Sequence, residues 1–210
     1  MGTRCLTHIV KGETILCTLY RQMDGYPDGH GDELASFLSG FHVTNGIRAD
    51  DEATKPKLAN GMGCLAAQII AHFKGDTEHY QRMYEMQLSM HERSLADENS
   101  FTYPKPKKPL ERKCRVGSFY MMEAGTKGVW EDYTYTVCLE QPNPDVEIYR
   151  VRMRCESEFT KSSTGQKFNI VGFDGYPEDW DAAKVSQTFD DEYEKLNPTP
   201  EIVDEELDEE

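Results

Sequence analysis

Positive charge is scarce in this 210-residue chain: 23 Lys and Arg stand against 38 Asp and Glu, a formal net charge of −15. Affinity for nucleic acid comes largely from neutralising phosphates with Lys and Arg, so a general phosphate-binding surface is excluded and nucleic acid is not an expected partner. Long apolar runs are missing, and no window approaches the roughly 18 residues of a membrane span. The opening Met1-Gly2-Thr3-Arg4 lacks the apolar stretch of a secretion signal and the spacing of a myristoylation site. A soluble cytoplasmic protein, with no membrane partner, is the expectation. Closely spaced cysteines are missing as well. Cys5, Cys17, Cys64, Cys114, Cys138 and Cys155 all lie more than four residues apart, which removes zinc-knuckle and C-x-x-C redox spacing and leaves reduced, structural thiols. Gly125-Thr126-Lys127 lacks the upstream glycine of a Walker loop and reads as a hairpin turn.

What is present suffices for one domain. Apolar residues make up 38% of the chain, enough for a core but leaner than the average globular protein. The charge is concentrated at one end. From Asp190 to Glu210 there are eleven acids and one base, Lys195, so this tail holds ten of the fifteen net negative charges and leaves a body of −5. With few apolar side chains and with Pro198 and Pro200, residues 190–210 read as a disordered acidic tail beyond a domain spanning 1–189. Its expected role is to keep the chain soluble, or to compete for a basic surface.

Residues 3–11 and 13–21 are rich in β-branched and aromatic side chains and meet at Gly12, which predicts a β-hairpin. A glycine-dense loop, 24–32, leads to a helix carrying Leu34, Phe37, Leu38 and Phe41 on one stripe. Residues 44–58 read as a surface loop, and a second helix over 61–74 buries Met62, Leu65, Ala66, Ile69, Ile70 and Phe73. Between 75 and 116 the character changes to an inserted arm. A charged helix over 76–98 carries Tyr80, Met83 and Tyr84, and then a Pro-Lys stretch, 103–115, sets six bases against Glu111. Period-two alternation returns at 118–123, 131–139, 146–155 and 167–173, predicting a four-strand meander, with a short helix over 178–188. The expected class is therefore α+β: a mostly antiparallel sheet, made of the N-terminal hairpin and a C-terminal meander, packed on two helices.

Asp-Gly-Tyr-Pro occurs twice, at 24–27 and 174–177. Each residue of the string has a turn role, Asp accepting from backbone amides, Gly supplying positive φ and Pro fixing φ. The functional alternative makes Tyr26 and Tyr176 rigid contacts for a ligand or partner. Around the first copy, Asp24, Asp28, His30 and Asp32 place three carboxylates and an imidazole within nine residues. Such a set suits a divalent cation such as Mg²⁺, Mn²⁺ or Ca²⁺, although the spacing is not that of an EF-hand, and helix capping accounts for the same residues. Gly29-His30-Gly31 can cradle a phosphate, but Asp28, Asp32 and Glu33 would repel it. His8, His42, His72, His79 and His91 are scattered and read as solvated or packed. On the arm, Tyr80, Met83 and Tyr84 form an adaptable face for a protein partner or a second copy of the chain.

Gly2-Thr3-Arg4, Tyr20-Arg21-Gln22, Asp24-Gly25-Tyr26-Pro27, Gly29-His30-Gly31 and Leu34-Ala35-x-Phe37-Leu38 resemble the opening of an uncharacterised bacteriophage and bacterial family. The likeness continues through Ala66–Lys74, Gly117-Ser118-Phe119-Tyr120, Ala124-Gly125-Thr126 and Glu131-Asp132-Tyr133-x-Tyr135-x-Val137. It covers 2–74 and 117–140, and because relatives pass directly from the second helix to the Phe-Tyr strand, it implies that 75–116 is an insertion. It implies a viral accessory role and carries over no catalytic residues. Three functions follow as expectations. The first is a non-enzymatic accessory protein that binds a host or phage protein and inhibits a host process. The second is a metal-dependent hydrolase or nuclease using the Asp24–Asp32 loop, and the third a nucleotide or small-ligand binder lined by Tyr26 and Tyr176.

Overall fold

The computed structural model describes residues 2–47, 49–96, 101–111, 113–115, 117, 119–141, 148–161 and 163–198. The chain opens with strands β1 (Cys5–Lys11) and β2 (Thr14–Arg21), an antiparallel hairpin closed by Gly12 at φ +60°. Only glycine adopts that left-handed backbone without penalty. After a tight loop come α1 (Asp32–Leu38), β3 (His42–Thr44), α2 (Ala49–Thr54), β4 (Leu58–Asn60) and α3 (Gly61–Gly75). The arm contains α4 (Glu78–Ala96). Then β5 (Phe119–Met122), β6 (Tyr133–Glu140), β7 (Ile148–Thr160), β8 (Lys167–Gly175) and α5 (Ala182–Leu196) complete the described chain.

The eight strands form one sheet in the order β4-β3-β7-β6-β1-β2-β5, with β8 also paired to β7. The α+β class holds, but the sheet is mixed: β1 runs parallel to β6 and β3 parallel to β4. The predicted four-strand meander is also corrected. Only β6, β7 and β8 form one, while β5 pairs with β2 on the far side of the hairpin. The segment after β5, expected as a hairpin turn, instead crosses β2 and β1 to reach β6. Residues 44–58, expected as a loop, contribute to β3, α2 and β4, elements of three to six residues that are too short to show a period. Helix α5 runs to Leu196 rather than 188, so the expected tail boundary at 190 falls inside it. Asp181 caps this helix by accepting from the Lys184 amide at 3.2 Å, which holds its carboxyl below the usual range. Phe189 and Val185 are its buried anchors. The remainder of the acidic tail, 199–210, lies outside the described residues.

Strand alternation divides the sheet into two faces. On one, Cys5, Thr7 and Ile9 of β1, Tyr135 and Val137 of β6, and Val151, Met153 and Cys155 of β7 are buried against α1, α3 and α5. Phe73 of α3 stacks on Phe119 of β5 at 4.5 Å and 8°, closing the core at that edge. The opposite face carries His8, Thr18, Thr134, Thr136, Arg152, Arg154 and Glu156. The arm leaves and rejoins at adjacent points, because Arg115 N–H donates to Lys74 O at 2.7 Å and the Arg115 guanidinium lies 3.6 Å from Asp76. Among the described residues no helix is long and apolar enough to cross a membrane.

Candidate functional site

The glycine-dense loop folds inward. Asp24 takes a left-handed backbone (φ 58°), Tyr26 is extended, and Pro27–Gly31 form one wide helical turn with Pro in its first position. The Asp24 carbonyl accepts from His30 N–H at 2.8 Å and the Tyr26 carbonyl from Gly29 N–H at 3.0 Å. These bonds swing the His30 ring fully into the core, where it lies 4.9 Å from Phe73, 5.6 Å from Phe119 and 5.0 Å from Tyr135. Its Nδ1 is 3.2 Å from Arg21 Nη1 and its Nε2 2.8 Å from Thr7 Oγ1. A guanidinium only donates, so Nδ1 accepts and the proton sits on Nε2, donated to Thr7. Burial, reinforced by the Arg21 charge, holds the ring's pKa well below its ordinary range and keeps it neutral. Arg21 is itself satisfied by Met23 O at 2.8 Å and Glu33 Oε2 at 2.6 Å.

This geometry leaves His30 no lone pair for an ion. Asp32 accepts from Trp180 Nε1 at 2.8 Å, Asp24 accepts from the Tyr26 hydroxyl at 3.2 Å, and Asp28 is exposed. Among the described residues no three His, Cys, Asp or Glu side chains are grouped to hold a metal. The loop's residues thus serve the turn and the core. Tyr26 and Tyr176 engage different neighbours. The charge of Asp24 raises the Tyr26 pKa. Tyr176, ahead of its own single turn Pro177–Asp179, donates to Glu140 Oε2 at 2.6 Å and lies under the Arg150 guanidinium, 3.5 Å from the ring centre. Tyr80 and Tyr84 are half-buried on α4, and Met83 is 37% exposed.

A cavity of about 910 Å³ opens instead on the polar face of the sheet, within the roughly 300–1,000 Å³ range of small-molecule sites. His8, Thr134, Thr136 and Glu156 form its floor, and the segment between β5 and β6 supplies Lys127, Trp130 and Glu131. Thr18 is fully buried; its oxygen accepts from Gly125 N–H at 3.0 Å and lies 2.9 Å from His8 Nδ1. Thr18 and His8 Nδ1 thus hydrogen-bond each other, which leaves Nε2 as the ring nitrogen without a partner. Burial, then the charge of Lys127, lowers the His8 pKa, so this imidazole too is neutral.

Among the described residues two buried side-chain nitrogens have no hydrogen-bond partner: His8 Nε2, on a side chain 5% exposed that lines the cavity, and Arg154 Nε, on a side chain outside its lining. The register places the two in one rung of the sheet, His8 beside Thr136 and Thr136 beside Arg154. Buried polar atoms are almost always satisfied, and an orphan costs about 1–3 kcal/mol, so His8 Nε2 marks a place in the cavity floor where a partner is supplied from outside. Trp130 adds a second anomaly. It is 84% exposed and has φ 68°, a left-handed backbone that bulky residues avoid. Flanking bonds hold it there: Gly128 N–H to Glu131 Oε1 at 2.8 Å, and Arg4 N–H to Asp132 Oδ2 at 2.8 Å.

Sequence reasoning missed this site. It passed over Trp130 and read His8 as one scattered histidine. The available signal was the polar phase of β6, where Thr134 and Thr136 repeat at every second position, but the pairing that sets them beside His8 is not encoded in any one segment. No family model, curated protein or solved structure matches the chain.

Proposed function

We propose that this chain is a small-ligand-binding protein and that the cavity on the polar sheet face is its binding site. The observation that carries this reading is His8 Nε2, a buried side-chain nitrogen without a hydrogen-bond partner, in the floor of a 910 Å³ cavity. A ligand hydroxyl group, which donates or accepts, would complete its hydrogen bonding and offset its desolvation. Thermal-shift screening of neutral and charged small molecules tests it. A bound ligand at about 100 times its Kd stabilises the fold by about 2.7 kcal/mol, and His8→Phe, which keeps a ring but removes its nitrogens, should abolish the shift. A cavity that binds nothing in such a screen, with His8→Phe indistinguishable from the parent chain, refutes the proposal.

A second reading, the accessory protein that binds a host or phage protein, is supported by the arm. On α4, Met83 and Met86 are 37% and 48% exposed, beside half-buried Tyr80 and Tyr84. Methionine-rich faces adapt to protein surfaces, and the same face would serve a homo-oligomer. Light scattering of the full chain and of Met83→Glu/Met86→Glu tests the second-copy form: a higher mass reduced by the substitutions supports it, and a monomeric mass in both refutes it.

A further inference from the structure

From the chemistry of the cavity wall, and resting on the ligand-binding reading above, we infer that the ligand class is a neutral carbohydrate ring. The floor offers one buried ring nitrogen that needs a partner, His8 Nε2. The wall offers acceptors that need donors. Glu131, Asp132, Glu156 and Glu158 all line the cavity, and each uses one carboxylate oxygen internally: Glu131 Oε1 for Gly128 N–H, Asp132 Oδ2 for Arg4 N–H, Glu156 Oε1 for Asn169 Nδ2 and Glu158 Oε1 for Lys167 Nζ. Among the described residues their second oxygens accept no hydrogen bond. A ligand that satisfies the wall must donate at several neighbouring atoms, and a hydroxyl, which donates or accepts, also meets His8 Nε2; vicinal hydroxyl groups do both.

Charge narrows the class. Four carboxylates against Lys127 and Lys167 leave the lining net negative with His8 neutral, which repels phosphates and carboxylates. A simple cation is disfavoured, because among the described residues no three His, Cys, Asp or Glu side chains are grouped to hold one. Trp130 supplies the remaining element. An exposed indole held in a strained backbone at the cavity is a flat apolar platform, and a pyranose presents one face of C–H groups to such a surface while its rim of hydroxyls meets polar walls.

Titration of the full chain by NMR with glucose, galactose, N-acetylglucosamine and cellobiose, beside adenosine and adenosine monophosphate, tests the inference. At least one saccharide should shift the Trp130 indole N–H resonance saturably and leave that of Trp180, on the other side of the sheet, in place. Trp130→Ala should weaken that saccharide at least tenfold without lowering the unfolding midpoint, since the side chain is 84% exposed. If the saccharides leave Trp130 unmoved while adenosine or its monophosphate binds and His8→Phe removes that binding, the carbohydrate class is wrong and the cavity remains a ligand site. If none of the six shifts Trp130, the carbohydrate inference fails, and the broader thermal-shift screen then decides the ligand-binding reading separately.

Discussion

Acid sensitivity centred on His30 is the sharpest quantitative consequence of the buried loop. In the unfolded chain the ring protonates near its ordinary value of 6.5, whereas in the fold burial and Arg21 hold it neutral far below that. Below about pH 6.5 the unfolded state therefore binds a proton that the native state does not. Stability from this residue is complete at higher pH and is lost as pH falls. One such histidine removes about 1.4 kcal/mol between roughly pH 7.5 and 5.5, and about the same again per further unit until the folded ring itself takes a proton. His30→Gln isolates the effect, because the amide oxygen can accept from Arg21 and the amide nitrogen can donate to Thr7, yet nothing titrates. His8 and His72, whose pKa values burial also lowers, are common to both chains and cancel. Urea denaturation of both proteins at the two pH values should show the parent losing about 1.4 kcal/mol more than the variant. Equal losses would refute a neutral, buried His30.

Gly31→Ala should destabilise by about 1–3 kcal/mol in chemical denaturation, because a Cβ there would stand 2.3 Å from Trp180 Cζ2 while the indole N–H is tied to Asp32; unchanged stability would refute that close approach. Lys57→Met should cost about 1–3 kcal/mol. Its ammonium donates to three carbonyls at the end of α1, Ser36 O at 2.9 Å, Phe37 O at 3.0 Å and Ser39 O at 2.8 Å, and the apolar side chain would leave all three without that partner. A thermal melt with an unshifted midpoint would count against it. Thiol titration with Ellman's reagent should label exposed Cys114 first and spare Cys5 and Cys155 until unfolding, since both are buried and burial pushes their thiols well up. Native-state labelling of Cys5 or Cys155 at the rate of Cys114 would contradict the packing.

Local pattern carried much of the fold. The alternation in 131–139 and the stripe Leu65, Ile69, Phe73 are set by which side chains leave water, and that information sits within each segment. Partner choice does not. Nothing within 118–123 distinguishes pairing with β6 from pairing with β2, and the parallel contact of β1 with β6 depends on residues more than a hundred positions apart. His30 drew attention for its neighbours in sequence, Asp28 and Asp32, but its neighbours in space are Arg21, Thr7 and three aromatic rings. His8 illustrates the converse. It looked ordinary because Thr18, Thr136 and Arg154, which define its role, come from three other strands.

The central position of the N-terminal hairpin shapes how the protein is made. On the ribosome β1 and β2 emerge before the other strands of the sheet and can close at once, but the outer backbone edge of Cys5 to Ile9 has no partner until Tyr133 to Val137 has been synthesised. A nascent chain of this kind carries an apolar, open-edged ribbon through most of its translation, the form of exposure that invites pairing with other chains. Final assembly waits on a contact spanning more than half the sequence, which predicts slow maturation and a need for shielding of the early product.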